Sequence, residues 1–266
     1  MNQNKISVVI PMYNAAKTII QTIESVFTQT WKGDIEIIVV NDGSKDNSKT
    51  LVEEYIKARS IHNIVLVNQE NAGVSRARNE GMRRCSGDWI CLLDSDDTWL
   101  PNKLERQLAI LATDPTIDFL GTTRNGEYFP RLAFRRLGKI NQISAKELLF
   151  KFLFVTPTII FRREILERVG YFDENQRFAE EGNYFIRVAK ACNCYLLNES
   201  LVITGGGKHD FGESGLSSNL WEMEKGELKN IQMAFSMGII NIAEYLFFNV
   251  FSVLKYIRRV LIVFFR

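Results

Sequence analysis

The sequence predicts an α/β protein: a mostly parallel central sheet with helices on both faces, and a helical C-terminal tail. Three observations predict it. Four apolar runs, "ISVVIP", "IEIIVV", "NIVLV" and "WICLL", suit strands buried on both faces of a parallel sheet. Stretches with apolar residues at helical spacing separate them. Polar clusters follow three of the runs, at Pro11 to Asn14, Asn41 to Ser44 and Asp94 to Asp97. In an open parallel sheet, ligands bind beyond the carboxyl ends of the strands, so these clusters are expected to share one edge.

The elements follow in order. "KISVVIPMYN" is the first strand, and "AAKTIIQTIESVFTQ" a helix with Ile19, Ile20, Ile23, Val26 and Phe27 on its apolar side. "IEIIVVNDGS" is a strand broken by Asn41-Asp42-Gly43, and "SKDNSKTLVEEYIKA" a helix behind polar capping residues. A strand and loop, "NIVLVNQENAG", leads to the short basic helix "VSRARNEGMRRC". The strand "WICLLDS" and the helix "NKLERQLAILA" complete the alternation. From Thr116 to Gly170 the pattern loosens, with one short strand in "TPTIIFRREIL". "FAEEGNYFIRVAKA" reads as a helix with Glu180 and Glu181 near its start, and "TGGGKHDFGESGLSS" as a loop. "NLWEMEKGELKNIQMAF" begins the helical tail.

Composition excludes some classes. The 266 residues are 24% charged and 46% apolar, which is ordinary for a globular chain, and a net charge of +2 gives no footprint for nucleic acid. Cys85, Cys91, Cys192 and Cys194 lack a two-pair zinc spacing and are too few for a disulfide scaffold, which fits a reduced, cytoplasmic setting. The first residues lack the pattern of a secretory signal. No P-loop is present, and no Gly-x-Gly-x-x-Gly follows the first strand.

Each polar cluster has two readings when taken singly. "DSDD" (Asp94, Ser95, Asp96, Asp97) is either a solvated turn or an oxygen-lined site for Mg²⁺ or Mn²⁺. Asp42 either contacts a base or ribose or shapes a turn. Arg76, Arg78 and Asn79 are either phosphate-contacting groups or a solvated helix face. Glu180 and Glu181 are either a general base and its neighbour or acidic residues complementing a helix N-terminus. His209 is either a metal or phosphate contact or an exposed loop histidine.

In order along the chain, these residues resemble a family 2 glycosyltransferase. "SVVIPMYNAAKTIIQTIESVFTQTW", "IEIIVVNDGSKDNS" and "NAGVSRARNEGMRRCSGDWICLLDSDDTWLPNKLERQ" carry the resemblance over about residues 5 to 112, and it continues more weakly to about residue 205. The resemblance implies a GT-A fold and an inverting transfer from a UDP-sugar with Mn²⁺ or Mg²⁺. It implies a catalytic domain at 1–215, with a nucleotide-binding half at 1–112 and an acceptor-binding half at 113–215, followed by a tail at 216–266. It implies that Pro11 and Tyr13 line the uracil pocket, that Asp42 bonds the base and that Arg78 lies near the base or phosphates. Asp94 then faces the ribose, Asp96 binds the metal, and Asp97 sits near the donor sugar or metal, with Ser95 between them in the donor site. The family's Glu-Asp pair stands here as Glu180-Glu181, one methylene longer at the second position, which makes Glu181 the expected base and Glu180 its rival. His209 lies in the expected closing loop as a further candidate metal ligand. The Gln-x-x-Arg-Trp element of polymer-making members is missing, which implies addition of single sugars.

The tail "YLFFNVFSVLKYIRRVLIVFFR" is rich in aromatic and aliphatic residues and carries Lys255, Arg258, Arg259 and Arg266. It is too polar for a bilayer span and fits a helix on the inner membrane surface, its cations facing anionic lipid, or one packed on protein. The expected acceptor is a glycan or lipid-linked saccharide, as in bacterial surface polysaccharide assembly. Two other functions fit parts of the pattern: a sugar nucleotidyltransferase and a non-catalytic nucleotide-sugar-binding module.

Overall fold

The computed structural model describes residues 5–205 and 218–265. The first half alternates as expected: β1 (Ile6–Met12), α1 (Ile19–Phe27), β2 (Ile35–Asp42), α2 (Ser48–Arg59), β3 (Ile64–Gln69), α3 (Val74–Arg84) and β4 (Trp89–Leu92). Next come β5 (Thr98–Trp99), α4 (Lys103–Thr113), β6 (Phe119–Arg124), the small hairpin β7 (Arg131–Leu132) and β8 (Arg135–Arg136), β9 (Ile140–Gln142) and α5 (Ala145–Phe150). A single 3₁₀ turn at Thr156–Thr158 precedes β10 (Ile160–Arg162), α6 (Ile165–Val169), α7 (Glu180–Ala191) and β11 (Cys194–Ile203). Two helices, α8 (Leu220–Ser236) and α9 (Ile242–Phe264), follow.

The main sheet runs β3-β2-β1-β4-β10-β6-β11-β5, with β9 also paired to β11. Strands β3, β2, β1 and β4 are parallel. The order reverses between β1 and β4, which makes a topological switch point and opens a crevice at their carboxyl ends. Strand β10 runs antiparallel to both β4 and β6. Residues just before β10 therefore reach the same edge as residues just after β4. That geometry lets the poorly patterned middle of the chain contribute to the site.

Alternation along the strands builds two cores. Ile6, Val8, Ile10, Ile37, Val39, Trp89 and Cys91 pack on one face with Ile19, Ile23, Val52 and Leu104. Val9, Ile38, Val40, Ile90 and Leu92 pack on the other with Ala77, Met82, Tyr184 and Phe185. Gly81 lets α3 lie close on the sheet: a Cβ there would come within 2.3 Å of Val9 Cγ1. Arg78, three residues earlier on the same helix, is thereby carried in over the crevice.

The helical tail shares the second core. Ile231 and Ala234 of α8, Ile240, and Phe248 of α9 are buried in it. Asn241 caps α9 by accepting from the Glu244 N–H at 2.9 Å, and Glu244 returns a bond to the Asn241 N–H. Lys146 of α5 pairs with Glu244 at 2.6 Å, and Phe150 packs on Phe248 with ring centroids 4.7 Å apart.

For two of the tail's cations, Lys255 and Arg259, the contacts match the alternative of a helix packed on protein rather than the expected contact with lipid. Arg259 donates to Glu224 at 2.8 Å and also pairs with Glu227, while Lys255 pairs with Glu227 at 3.1 Å. Glu224 is buried, so these cations turn inward to neutralise α8 and are not displayed to lipid. The outer face of α9 is largely apolar, with Leu246, Val250, Leu254, Ile257 and Leu261 exposed and Arg258 exposed among them. Among the described residues, no helix is long and apolar enough to cross a membrane.

Candidate active site

Four segments converge at the carboxyl edge of β4. Arg78 lies at the centre, its side chain only 4% exposed. Its Nη2 donates to Asp94 Oδ1 at 2.9 Å and to Glu181 Oε1 at 3.1 Å, and its Nη1 donates to Glu180 Oε1 at 3.0 Å. Phe172 lies under the guanidinium at 5.4 Å. The sequence reading put Arg78 near a base or phosphates. The structure puts it among carboxylates, because three of them in so small a space need a buried cation to coexist.

Glu180 and Glu181 open α7, so the helix N-terminus also favours their charge. Burial nevertheless raises both. Glu181 is pushed up to about 7 by burial, with Asp94 and Glu180 adding to the rise against the pull of Arg78. Burial also raises Glu180, again opposed by Arg78.

Thr156 joins the cluster, and sequence reasoning missed it. Its hydroxyl accepts from Arg78 Nη2 at 3.2 Å and lies 2.6 Å from Glu181 Oε1 and 2.8 Å from Asp94 Oδ2. One hydroxyl proton serves only one of those two oxygens. The other short contact calls for a protonated carboxyl, consistent with a raised Glu181. The turn holding Thr156 is fixed by Trp99 Nε1, which donates to the Pro157 carbonyl at 2.8 Å. Thr156 carries no charge and precedes an apolar run, so its only signal in the sequence is its place before a strand antiparallel to β4.

The "DSDD" turn continues this surface. Asp94 and Ser95 are half-buried and Asp96 is exposed. Asp97 is buried; its N–H donates to the Asp94 carbonyl at 3.1 Å, and its Oδ1 accepts from the Gly205 N–H at 2.8 Å. Burial pushes Asp97 up to about 8, with Asp94 and Asp96 contributing and the Gly205 N–H and Arg124 opposing. Among the described residues no group of three His, Cys, Asp or Glu side chains is gathered as a ready metal site. His209 lies outside the described residues.

The remaining expected residues lie along the same edge. Pro11 is buried within β1, and Tyr13 just beyond it is 47% exposed. Asp42 is buried at the end of β2 and holds the loop that starts α3. It accepts from Gln69 Nε2 at 2.7 Å, the Ala72 N–H at 2.9 Å and the Gly73 N–H at 3.0 Å. A carboxylate offers about four acceptor positions, so roughly one remains for a ligand. Asn79 is structural: it exchanges two hydrogen bonds with the Phe172 backbone and donates to Glu174. That clamp sets the segment leading to α7.

The raised groups make stability depend on pH. Glu181 and Asp97 hold protons in the folded state well above the 4.5 and 3.8 at which they ordinarily release them. Their contribution is full below those ordinary values and is lost as pH rises through about 7 and 8. Lys103, lowered to about 8 by burial, acts in the opposite sense only above that window. The expected result is a urea midpoint that falls between about pH 5.5 and pH 7.5 in the metal-free, nucleotide-free protein. A midpoint that rises across that interval would contradict the assignment.

Comparison with known proteins agrees with the fold. The family model for glycosyl transferase family 2 matches residues 7–170. The chain belongs to that family. It is 31% identical over 214 residues to the uncharacterized glycosyltransferase EpsJ of Bacillus subtilis, covering 74% of this chain and 60% of that one. It is 43% identical over 97 residues to the glycosyltransferase GlyA of Streptococcus pneumoniae, covering 36% of this chain and 13% of that one. The chain thus spans at most about 60% of the length of these two relatives. In fold it is similar to residues 1–349 of TarS from S. aureus in complex with UDP-GlcNAc, at TM-score 0.69 and 21% identity over 94% of this chain and 71% of that one. It is also similar to the mannosyltransferase PcManGT of Pyrobaculum calidifontis in complex with GDP-Man and Mn²⁺, at TM-score 0.66 and 18% identity over 88% of this chain and 65% of that one. The expected GT-A fold is the observed one.

Proposed function

We propose that this chain is an inverting glycosyltransferase that moves one sugar from a UDP-sugar to a glycan or lipid-linked saccharide, in bacterial surface polysaccharide assembly. The observation that carries the reading is the convergence of Glu181, Glu180 and Asp94 on one buried arginine at the switch point of the sheet. Glu181 acts as general base, taking the proton of the acceptor hydroxyl as its oxygen attacks the anomeric carbon. Attack from the face opposite the leaving UDP forms one C–O bond as the other breaks and inverts the anomeric centre. Arg78 holds the base, and Thr156 orients its Oε1. Pro11, Tyr13 and the remaining acceptor position of Asp42 serve the uracil, with Asp94 and Ser95 toward the ribose.

The carboxylates of the turn are oxygen donors of the kind a divalent cation takes, although among the described residues no three side chains are gathered as a ready site. Asp94, Asp96 and Asp97 crowd one turn, and Asp97 is buried without enough positive charge nearby to keep it ionised at its ordinary pKa. Asp96 would hold the cation with Asp97, and His209, outside the described residues, is a further candidate. When bound, Mn²⁺ or Mg²⁺ supplies charge stabilisation for the leaving diphosphate. A solved relative in fold with GDP-Man and Mn²⁺ supports the same reading. Asp96→Ala is expected to cut UDP release from a UDP-sugar by at least about a hundredfold while the protein stays folded. EDTA should do the same to the unaltered protein. Turnover within a few-fold of normal in both cases would remove the cation from the site.

The exposed apolar stripe on α9, with the exposed Arg258 beside it, supports peripheral attachment to the inner membrane surface. Leu254→Glu with Ile257→Glu changes only exposed positions. The pair should shift the protein from the membrane to the soluble fraction, as read by flotation with anionic vesicles. Undiminished flotation would refute the attachment.

A further inference from the structure

Helix α8 reaches the turn that carries the candidate base. Ala179, the residue before α7, has φ +53° and ψ +29°, a left-handed conformation that is costly for a residue with a Cβ. Its carbonyl accepts from Asn230 Nδ2 of α8 at 2.9 Å, from Gln176 Nε2 at 3.2 Å and from the Asn183 N–H at 3.3 Å. Gln176 Nε2 also donates to Asn230 Oδ1 at 2.9 Å, and Gln176 Oε1 accepts from Asn183 Nδ2 at 3.1 Å. Gln176, Asn183 and Asn230 are all buried, and the amide groups of all three are bonded. A fully connected buried polar network fixes one geometry and is not easily replaced.

One turn earlier on α8, Gly226 sits against the same segment. A Cβ there would come within 2.4 Å of the Phe178 carbonyl oxygen and 3.0 Å of Ala179 Cβ. The helix thus braces the turn by contact at Gly226 and by hydrogen bonding at Asn230, four residues apart on one face. The turn is one residue from Glu180 and two from Glu181.

We propose that Asn230, backed by Gly226, is a positioning residue for the catalytic carboxylate: α8 holds Ala179 in its left-handed conformation and thereby aims Glu181 at the reacting oxygen. This rests on the reading of Glu181 as base. It makes the first tail helix part of the catalytic apparatus, although its residues lie some fifty positions from the base.

The test measures UDP release from a panel of UDP-hexoses and UDP-N-acetylhexosamines with Mn²⁺, beside UDP affinity by calorimetry. Asn230→Ala should lower kcat about 10- to 100-fold, the scale of a displacement near 1 Å, with UDP affinity within about twofold. Adding Ala179→Gly should recover most of that loss, because glycine takes the left-handed conformation without the tie. Gly226→Ala, which removes no polar group, should lower kcat in the same way and guards against misfolding of Asn230→Ala. A purely structural role would lower UDP affinity together with kcat and gain nothing from Ala179→Gly. Either result, or a kcat within twofold of normal in folded Asn230→Ala or Gly226→Ala, overturns the proposal. If Glu181→Gln is inactive in parallel, only this inference falls; if Glu181→Gln is fully active, the reading of the base falls with it.

Discussion

Glu181→Gln is expected to lower sugar transfer by about 10²- to 10⁴-fold, the range for loss of a general base. Glutamine keeps the length of the side chain and an oxygen to accept from Arg78 Nη2. It cannot take a proton from an acceptor hydroxyl. UDP affinity should therefore hold while turnover disappears. The unaltered enzyme should show activity that rises with pH across a limb near 7, because Glu181 is pushed up to about 7 and works only when ionised. That limb should vanish from the residual activity of Glu181→Gln. Steady-state kinetics from pH 5.5 to 8.5 check both statements. Near-normal turnover in the variant would move the base to Glu180, whose carboxylate shares the same arginine at 3.0 Å.

The second large effect is on stability. Arg78→Met should destabilise the protein by about 3–5 kcal/mol, the usual cost of breaking a buried ion pair from one side. Asp94, Glu180 and Glu181 would then face one another without the guanidinium that now sits within 3.1 Å of each. The pKa values of Glu180 and Glu181, already raised by burial, would rise further, so the variant should hold more protons than the unfolded chain over a wider interval. Its stability should fall more steeply than the parent's as pH rises, and acid should partly rescue it. Urea titrations at about pH 5.5 and 7.5 read this directly. A variant with the parent's midpoint at the higher pH would show that the carboxylates do not depend on Arg78.

Particular residues show what the sequence could reveal. The runs ending at Pro11, Asp42 and Asp94 were legible because buried parallel strands are continuous apolar strings, and the polar residues after them share an edge by topology alone. Strand β6 was not legible, since "FLGTTR" mixes small and polar residues and the elements around it are as short as two residues. The candidate residues Asp94, Arg78 and Glu181 were each nameable, but their ion pairs span 16 and 103 positions of sequence and leave no local pattern. Thr156 lacked any charge to draw attention. Arg259 in sequence fits a lipid-facing cation as well as a protein contact, because its partners, Glu224 and Glu227, lie 35 and 32 residues away on another helix. Asp42 in sequence fits a ligand contact and a turn residue equally, and its hold on the Ala72–Gly73 loop is visible only in three dimensions.

The central claim is that this site transfers a sugar from a UDP-sugar with inversion. Incubation with the UDP-sugar panel, Mn²⁺ and a saccharide acceptor, followed by mass spectrometry and NMR of the products, tests it most directly. The account predicts release of UDP and a single-sugar adduct whose anomeric configuration is opposite to that of the donor. Release of pyrophosphate would make the protein a nucleotidyltransferase, retention of configuration would contradict a single displacement at the anomeric carbon, and UDP binding with neither transfer nor hydrolysis would make it a non-catalytic module.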